Sequence, residues 1–144
     1  MPFSDNITWS GIMAEHAERA WPRLRSFVER AIARGNGEYL ADDILDAVKA
    51  RKMQLWAVRD DEIRAVVVTE VLEYPRSRKL GVVGVAGEGM RDYLHLLPEV
   101  LEAYAKEQGC TSVRAGGREG WVRALAVYGY ERTATIVEKD LGNG

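Results

Sequence analysis

A turn that contains two glycines, Gly87-Glu88-Gly89, is the first place in the sequence where chemistry is expected. It follows an apolar strand predicted from Leu80 to Ala86 and opens a predicted helix that runs on to Gly109. A helix N-terminus carries unpaired backbone N–H groups and the positive end of the helix dipole, so this order of elements is an anion-binding arrangement. The alternative is a tight strand-to-helix turn that binds nothing.

The residue between the two glycines bears on that choice. Glu88 places a carboxylate where a phosphate would approach, and at a few ångströms such repulsion costs on the order of 1–4 kcal/mol at effective dielectrics between those of water and a protein surface. Arg91 would offset this repulsion, and so would a Glu88 side chain that points away from the anion.

A second candidate is Glu70, which lies inside a predicted strand from Ile63 to Tyr74. A carboxylate is costly to bury in an apolar strand unless it is paired or protonated. A buried carboxylate with a raised pKa is what a general base needs to deprotonate an amine substrate. The alternative is a partly exposed Glu70 near the strand end, paired with Arg76, Arg78 or Lys79.

The bulk composition describes one globular domain spanning residues 1–144. Hydrophobic residues make up 47% and charged residues 29% of the chain, and the net charge is −2. An acidic total without interleaved exposed aromatics argues against nucleic-acid binding. No apolar run approaches the ~20 residues that span a bilayer, so no membrane association is expected. The N-terminus MPFSDNITWSG lacks the plan of a signal peptide, and we expect a cytoplasmic protein.

The remaining reactive side chains carry no site of their own. His16 and His95 have no cysteine or carboxylate at ligand spacing, so no metal is expected. Cys110 is the single cysteine, which excludes an intramolecular disulfide and suits a reducing compartment. We expect it to be a buried, inert thiol.

Hydrophobic spacing and breaker residues predict the elements that position these candidates. A helix from Met13 to Ile32 is kinked or broken at Pro22. The others are a helix over Ala41–Lys52, a hairpin of Leu55–Val58 with Ile63–Tyr74, a strand over Lys79–Ala86, helices before and after Pro98, a strand from Thr111, a short helix that ends at Gly129-Tyr130, and a final strand.

This order predicts an α/β fold, a mixed and mostly antiparallel twisted sheet of six or seven strands with helices on both faces. The strands over Lys79–Ala86 and Thr111–Gly116 must be parallel, because a helix connects them.

The order of strand, glycine turn, helix, strand, short helix, Gly-aromatic pair and final strand resembles the second half of the GNAT acetyltransferase fold. Particular phrases are similar to small GNAT-like proteins of tailed bacteriophages and prophages, namely MQLWAV, VVTEVLEYPR, GEGM, EQGC, GREGWVRAL with YGY, and a terminal strand ending in KDL. The resemblance extends from about Trp21 to Leu141. It implies a central parallel pair of strands that splays apart at the Gly87 end, where the cofactor enters.

The resemblance implies acetyl-CoA or another acyl-CoA as the cofactor, with its pyrophosphate on the glycine turn. Gly87 and Gly89 stand for the two glycines of the GNAT loop, and Gly84 occupies the position of its leading Arg or Gln. The residues implied to contact the cofactor are Val85, Ala86, Gly87, Gly89, Met90 and Arg91.

The short helix departs from the GNAT pattern at the residue that reprotonates the coenzyme A thiolate. When Gly129-Tyr130 is taken as the Gly-aromatic pair, the position of that tyrosine falls on Leu125. Tyr128 lies one turn away and would substitute as the catalytic acid if the backbone is shifted. The alternative is an apolar helical stripe of Trp121, Leu125 and Tyr128 that packs on the sheet.

Two classes of function remain open on the sequence. The first is a slow acyl-CoA-dependent N-acyltransferase in the host cytoplasm, with an amine-bearing substrate and Glu70 as its base. The second is a GNAT-fold protein that has lost catalysis and its cofactor. It would serve as a virion component or an ejected accessory protein, with virion proteins or further copies of itself as partners. The order of elements favours the first class, whereas Glu88 and Leu125 favour the second.

Overall fold

The computed structural model describes residues 7–33, 37–89, 92–96, 98–116 and 119–142. Five strands form one sheet. They are β1 (Thr8–Ile12), β2 (Gln54–Arg59), β3 (Ile63–Tyr74), β4 (Ser77–Gly87) and β5 (Ser112–Ala115). The helices are α1 (Ala14–Ile32), α2 (Ala41–Lys49), α3 (Ala103–Glu107) and α4 (Glu119–Ala126), with a 3-10 turn over Leu94–Leu96 and a π-helical segment over Pro98–Glu102.

The strands follow one another across the sheet in chain order from β1 to β5. The first four pair antiparallel, and β4 with β5 is the parallel pair that the connecting helix predicted. The pairing of β4 with β5 runs from Lys79 opposite Ser112 to Val82 opposite Ala115. Because β4 continues to Gly87, its last five residues extend beyond the partner strand. The fold is the predicted mixed α/β sheet with a splayed parallel pair.

Helices cover both faces of this sheet, as predicted. On one face α1 and α2 bury an apolar cluster that includes Trp21, Leu24 and Ile44 against Leu55 and Val66. On the other face the segments after the glycine turn, together with α4, pack on the alternate residues of the same strands. That second cluster includes Trp56, Val67, Leu80, Leu101 and Leu125. The central strands are therefore buried on both faces, as their β-branched runs indicate.

A buried polar chain ties β2 to β3. The Trp56 indole N–H donates to the Thr69 hydroxyl at 2.9 Å, and that hydroxyl donates to Gln54 Oε1 at 2.8 Å. Thr69 is the buried polar residue of the described core. Because each of these polar groups has a partner, the network is compatible with a dry core and fixes the register of the two strands.

The predicted break at Pro22 does not occur, since α1 runs through that residue as one helix. Pro22 is exposed, and Trp21 and Leu24 on either side of it are buried. Proline removes one backbone hydrogen bond. Here, burial of the apolar face before and after the proline keeps the helix continuous.

The connection between the glycine turn and β5 differs more from its prediction than α1 does. In its described residues it consists of the 3-10 turn, the π-helical segment and the five-residue α3, rather than two regular α-helices. Pro98, which lacks an N–H and fixes its own φ, begins the π-helical segment. The backbone around it is irregular because proline, placed between two short turns, cannot donate the hydrogen bond of a regular α-helix.

The final strand is also absent from the described part of the chain. Residues 131–142 have no regular secondary structure, so the sheet has five strands there rather than six or seven. Ile136, Val137 and Leu141 are 86–90% exposed. The composition of this segment suits a strand, but these apolar side chains are not packed against the rest of the described structure.

Candidate functional site

The glycine turn is shaped first by its contact with β3. A Cβ atom added at Gly87 would lie 2.5 Å from the Arg64 carbonyl oxygen, and the φ of Gly87 is +149°. The Glu88 N–H donates to the same carbonyl at 3.3 Å. Gly89 has φ +67°, in the left-handed region that favours glycine. Both glycines are therefore explained by local backbone geometry, before any ligand is considered.

The donors that remain at the turn are few. The Glu88 amide is engaged with β3, and the Asp92 N–H donates to the Gly89 carbonyl at 2.8 Å. The Glu88 side chain is exposed. Within residues 92–96 the backbone forms 3-10 structure, so no α-helix with its dipole begins there. Met90 and Arg91, two of the residues implied to contact the cofactor, lie outside the described residues.

Gly84, in the position where GNAT proteins carry Arg or Gln, has a packing explanation. An added Cβ would lie 2.7 Å from the Ala31 carbonyl oxygen on α1. No side chain larger than hydrogen fits there while α1 crosses the sheet at this distance. Val85 and Ala86 continue the strand beside it, with Val85 packed on the second apolar cluster and Ala86 buried.

A cavity of about 230 Å³ lies between the end of α1 and the sheet, and it contains Glu70. Its floor is a row of three residues across three strands, because Glu70 pairs with Gly81 and Gly81 pairs with Arg114. Apolar walls come from residues that include Ile32, Leu72 and Val83, and Glu38 and Tyr39 stand at the rim before α2.

Burial raises the pKa of the Glu70 carboxyl above its usual range. Burial also raises the pKa of the Tyr39 phenol, with smaller contributions from the negative charges of Glu70 and Glu38. Arg78 pairs instead with Glu73 at 3.3 Å. Among the described residues, Arg76 and Lys79 make no ion pair with Glu70 either, so the paired alternative for this carboxylate has no support there.

A second, apolar cavity lies on the opposite face of the sheet. Its lining includes Val82, Val85, Val113, Leu125 and Tyr130. Val82 lines both cavities, and it is the residue at which the pairing of β4 with β5 ends. The two cavities therefore approach each other from opposite faces at the place where the parallel strands part.

The short helix carries the apolar stripe that the sequence offered as an alternative. Leu125 is buried in the second apolar cluster, and Trp121 and Tyr128 pack against it. Tyr128 is half-buried on this cluster, and it is not among the residues that line either cavity. Tyr130 does line the apolar cavity, and its hydroxyl donates to Glu102 at 3.0 Å. Burial first, then the Glu102 charge, raises the pKa of Tyr130.

Sequence reasoning did not single out Gly81, Tyr39, Arg114 or Tyr130 as residues of this site. Gly81 did carry a signal, because an isolated glycine inside a strand marks a close approach or an open space above the sheet. The other three come to the site only through long-range packing. Their positions have no signature in the local sequence.

Other kinds of site find no basis in the described residues. They contain no group of three His, Cys, Asp or Glu side chains that could hold a metal ion. No helix among them has both the length and the apolar composition that a membrane crossing requires. Cys110 is a free, buried thiol, as expected.

No protein-family model and no curated protein matches the sequence. Solved structures do match over nearly the whole chain. An aminoglycoside acetyltransferase from an uncultured soil metagenomic sample has a TM-score of 0.71 at 10% identity, covering 95% of this chain and 99% of that one. A GCN5-related N-acetyltransferase from Ralstonia eutropha has a TM-score of 0.69 at 14% identity, with 95% and 100% covered.

A predicted acetyltransferase from Clostridium acetobutylicum, solved with acetyl-CoA, has a TM-score of 0.63 at 12% identity and covers 94% of this chain and 96% of that one. At these identities the likeness establishes the fold alone. The chain thus has the fold of the GNAT N-acetyltransferases.

Proposed function

We propose that this protein is a slow acyl-CoA-dependent N-acyltransferase that acts on a small amine. One observation carries the proposal, namely that Val82, the last residue of β4 to pair with β5, lines a cavity on each face of the sheet. One cavity holds a carboxylate with a raised pKa, and the other is apolar with a volume of about 30 Å³. This arrangement suits an amine on the first face and a small acyl group on the second.

The residues present fit an acyl-CoA in part. At about 30 Å³ the apolar cavity suits only a small acyl group such as acetyl, to which Val82, Val85 and Val113 present no charge. The proposed pyrophosphate contacts are the turn residues Val85, Ala86, Gly87, Gly89, Met90 and Arg91. The Glu88 N–H argues against these contacts, because it already donates to the Arg64 carbonyl oxygen. When bound, acyl-CoA would supply an activated thioester.

The proposed role of Glu70 is to accept a proton from the ammonium of the substrate, so that the neutral amine can attack. A carboxyl whose pKa is raised towards neutrality is a better base for this purpose than an exposed glutamate. The apolar side chains of Ile32, Leu72 and Val83 line the cavity beside it, and Leu72 packs over Gly81.

In the proposed reaction, the step that lacks a well-placed residue is proton donation to the leaving thiolate. Leu125 has no proton to donate, and Tyr128 packs on the apolar cluster. A positioned acid typically contributes ~100- to 10,000-fold to a rate, so its absence makes turnover slow. Tyr128 remains the proposed donor if the helix shifts when the cofactor binds.

The test is release of free coenzyme A from acetyl-CoA with a panel of small amines. We expect slow turnover that Glu70→Gln abolishes. Glu73→Gln is the matched control, because Glu73 lies on the same strand but pairs with Arg78 outside the cavity. Turnover that Glu70→Gln leaves unchanged would show that the base is elsewhere.

A second candidate function is an assembly role in a phage particle, with the protein located in the host cytoplasm or in the virion. The phage association is inferred from the sequence phrases alone. The assembly role has a structural basis in the exposed Ile136, Val137 and Leu141, and in the outer edge of β5, which pairs with no strand among the described residues. An open sheet edge can accept an extended segment of another chain by strand addition. Mass spectrometry of purified virions would test this candidate.

A further inference from the structure

We infer that the acceptor is an amine that also carries a carboxylate, as an amino acid does, and that Arg114 selects it. This inference rests on the proposed function and concerns the same cavity. Arg114 and Glu70 stand at the two ends of the row across β3, β4 and β5, with Gly81 between them. Neighbouring strands lie about 4.8 Å apart, so the two Cα atoms are separated by roughly 10 Å.

The two opposite charges do not neutralise each other. In the described part of the chain, no carboxylate lies within ion-pair distance of Arg114, and no cation lies within that distance of Glu70. Gly81 contributes no side chain, and the Leu72 side chain packs over it, since a Cβ there would meet Leu72 Cδ1 at 2.9 Å. The cavity thus has a cationic end and an anionic end, with the apolar Leu72 side chain between them.

Arg114 is held in place by β3. Its Nη1 donates to the Tyr74 hydroxyl at 2.9 Å, and its guanidinium carbon lies 5.5 Å from the centre of the Tyr74 ring. A guanidinium has five N–H donors, so this bond leaves others for a ligand carboxylate, which arginine binds in a planar, bidentate manner. A pre-positioned cation loses less side-chain freedom when the ligand binds.

The anionic end suits the amine of the same ligand. Glu70 lies inside the cavity, and Glu38 stands at its rim beside Tyr39. Between the two ends, Ile32, Leu72 and Val83 provide an apolar wall for a short side chain. A volume of about 230 Å³ accommodates a ligand of amino-acid size. An acceptor with several ammonium groups and no carboxylate would leave Arg114 without a partner and place its extra charge against a guanidinium.

Binding of leucine and of isoamylamine, its decarboxylated counterpart, tests this inference without any need for turnover. The measurement is titration of the full-length protein by NMR or calorimetry. We expect leucine to bind at least roughly tenfold more tightly, since hydrogen bonds to a charged group are worth about that factor or more. Arg114→Gln should remove the preference, and Tyr74→Phe should reduce it. Arg123→Gln, an exposed arginine on α4, is the control that should retain it.

Equal binding of the two ligands, tighter binding of isoamylamine, or a leucine preference that survives Arg114→Gln would each overturn the inference. Coenzyme A release separates it from the proposed function. A leucine preference in binding with no release of coenzyme A would leave the site standing and refute the acyltransferase. Release with isoamylamine as fast as with leucine, and no preference in binding, would leave the acyltransferase standing and refute the role of Arg114.

Discussion

At the scale of single residues, Glu70 is the proposed base. It was a candidate base because a carboxylate stood in an apolar strand, and the structure gives it a cavity and a raised pKa caused by burial. Its neighbours on either side of the row, Gly81 and Arg114, turn an isolated carboxylate into one end of a binding site.

The raised pKa of Glu70 has opposite effects on stability and on activity as pH increases. The folded state binds this proton more tightly than the unfolded state, so its contribution to stability is present below the unfolded pKa and is lost as pH rises through the folded pKa. Turnover needs the deprotonated form and should rise over the same interval, which begins above the ordinary value of 4.5. Glu70→Gln should abolish turnover and flatten this part of the stability profile.

Urea unfolding of both proteins between acidic and neutral pH checks the prediction, with Glu73→Gln as the control. At neutral pH the Glu70→Gln protein should be at least as stable as the wild type, because the buried charge is gone. A marked loss of stability would mean that Glu70 has a cationic partner beyond the described residues.

Glu88 is the other residue whose charge has a predictable effect, in this case on the affinity for acetyl-CoA. Its side chain is exposed, so its repulsion of a phosphate falls at the low end of the range, about 1 kcal/mol in a water-like dielectric. Glu88→Gln should therefore tighten acetyl-CoA binding roughly fivefold at low salt, with a smaller gain as salt is added. Calorimetry measures this directly. Unchanged or weaker binding would argue that the turn holds no phosphate.

At the scale of elements, the contact of α1 with β4 decides which residues the strand can carry. The end of α1 forms the roof of the Glu70 cavity, and its Ala31 carbonyl lies directly over Gly84. The same contact removes the Arg or Gln side chain that the GNAT loop carries at this position. One packing interaction thus shapes the amine site and alters the cofactor loop.

Gly84→Ala should consequently destabilise the protein by about 1–3 kcal/mol, as expected for overpacking against a backbone that must move. Gly120→Ala is the matched control, since an added Cβ there meets nothing within 4 Å and alanine favours the interior of α4. Chemical denaturation of the two variants provides the comparison. A neutral Gly84→Ala would show that α1 can shift away from the sheet at little cost, and that the cavity roof is mobile.

At the scale of the whole molecule, the C-terminal residues contribute least to the folded core. Residues 131–142 are exposed throughout and lie outside the sheet. Arg132 pairs with Glu119 on α4, and an exposed ion pair is worth about 1 kcal/mol or less. The segment is therefore available to a partner rather than required by the domain.

Removal of residues 133–144 should lower the free energy of unfolding by less than about 1 kcal/mol, because little apolar area is buried there. If the segment joins the open edge of β5 in a second copy or a virion protein, the same truncation should abolish that association. Light scattering with size-exclusion chromatography measures both proteins at matched concentrations. A large loss of stability in a purely monomeric protein would show instead that the segment packs on its own domain.

The sequence by itself determined the class of fold. Apolar, β-branched strands, glycine and proline breaks and a helical crossover required a mixed sheet with a parallel β4–β5 pair, because these signals are local and the rules of strand pairing and connection supply the rest. It also determined that Glu70 was an unusual carboxylate. Three expectations fail in the described residues, namely a break of α1 at Pro22, regular α-helices around Pro98 and a terminal strand. Each depends on whether distant side chains supply the packing that local propensity lacks.

Tertiary structure alone decided the composition of the candidate site. Arg114 is 44 residues from Glu70 in the chain, and only the register of β4 between β3 and β5 brings the two into one row. The role of Gly84 depended on the path of α1 above it, and the role of Gly81 on the Leu72 side chain that packs over it. Such facts follow from long-range pairing and helix–sheet contact, which local sequence does not encode.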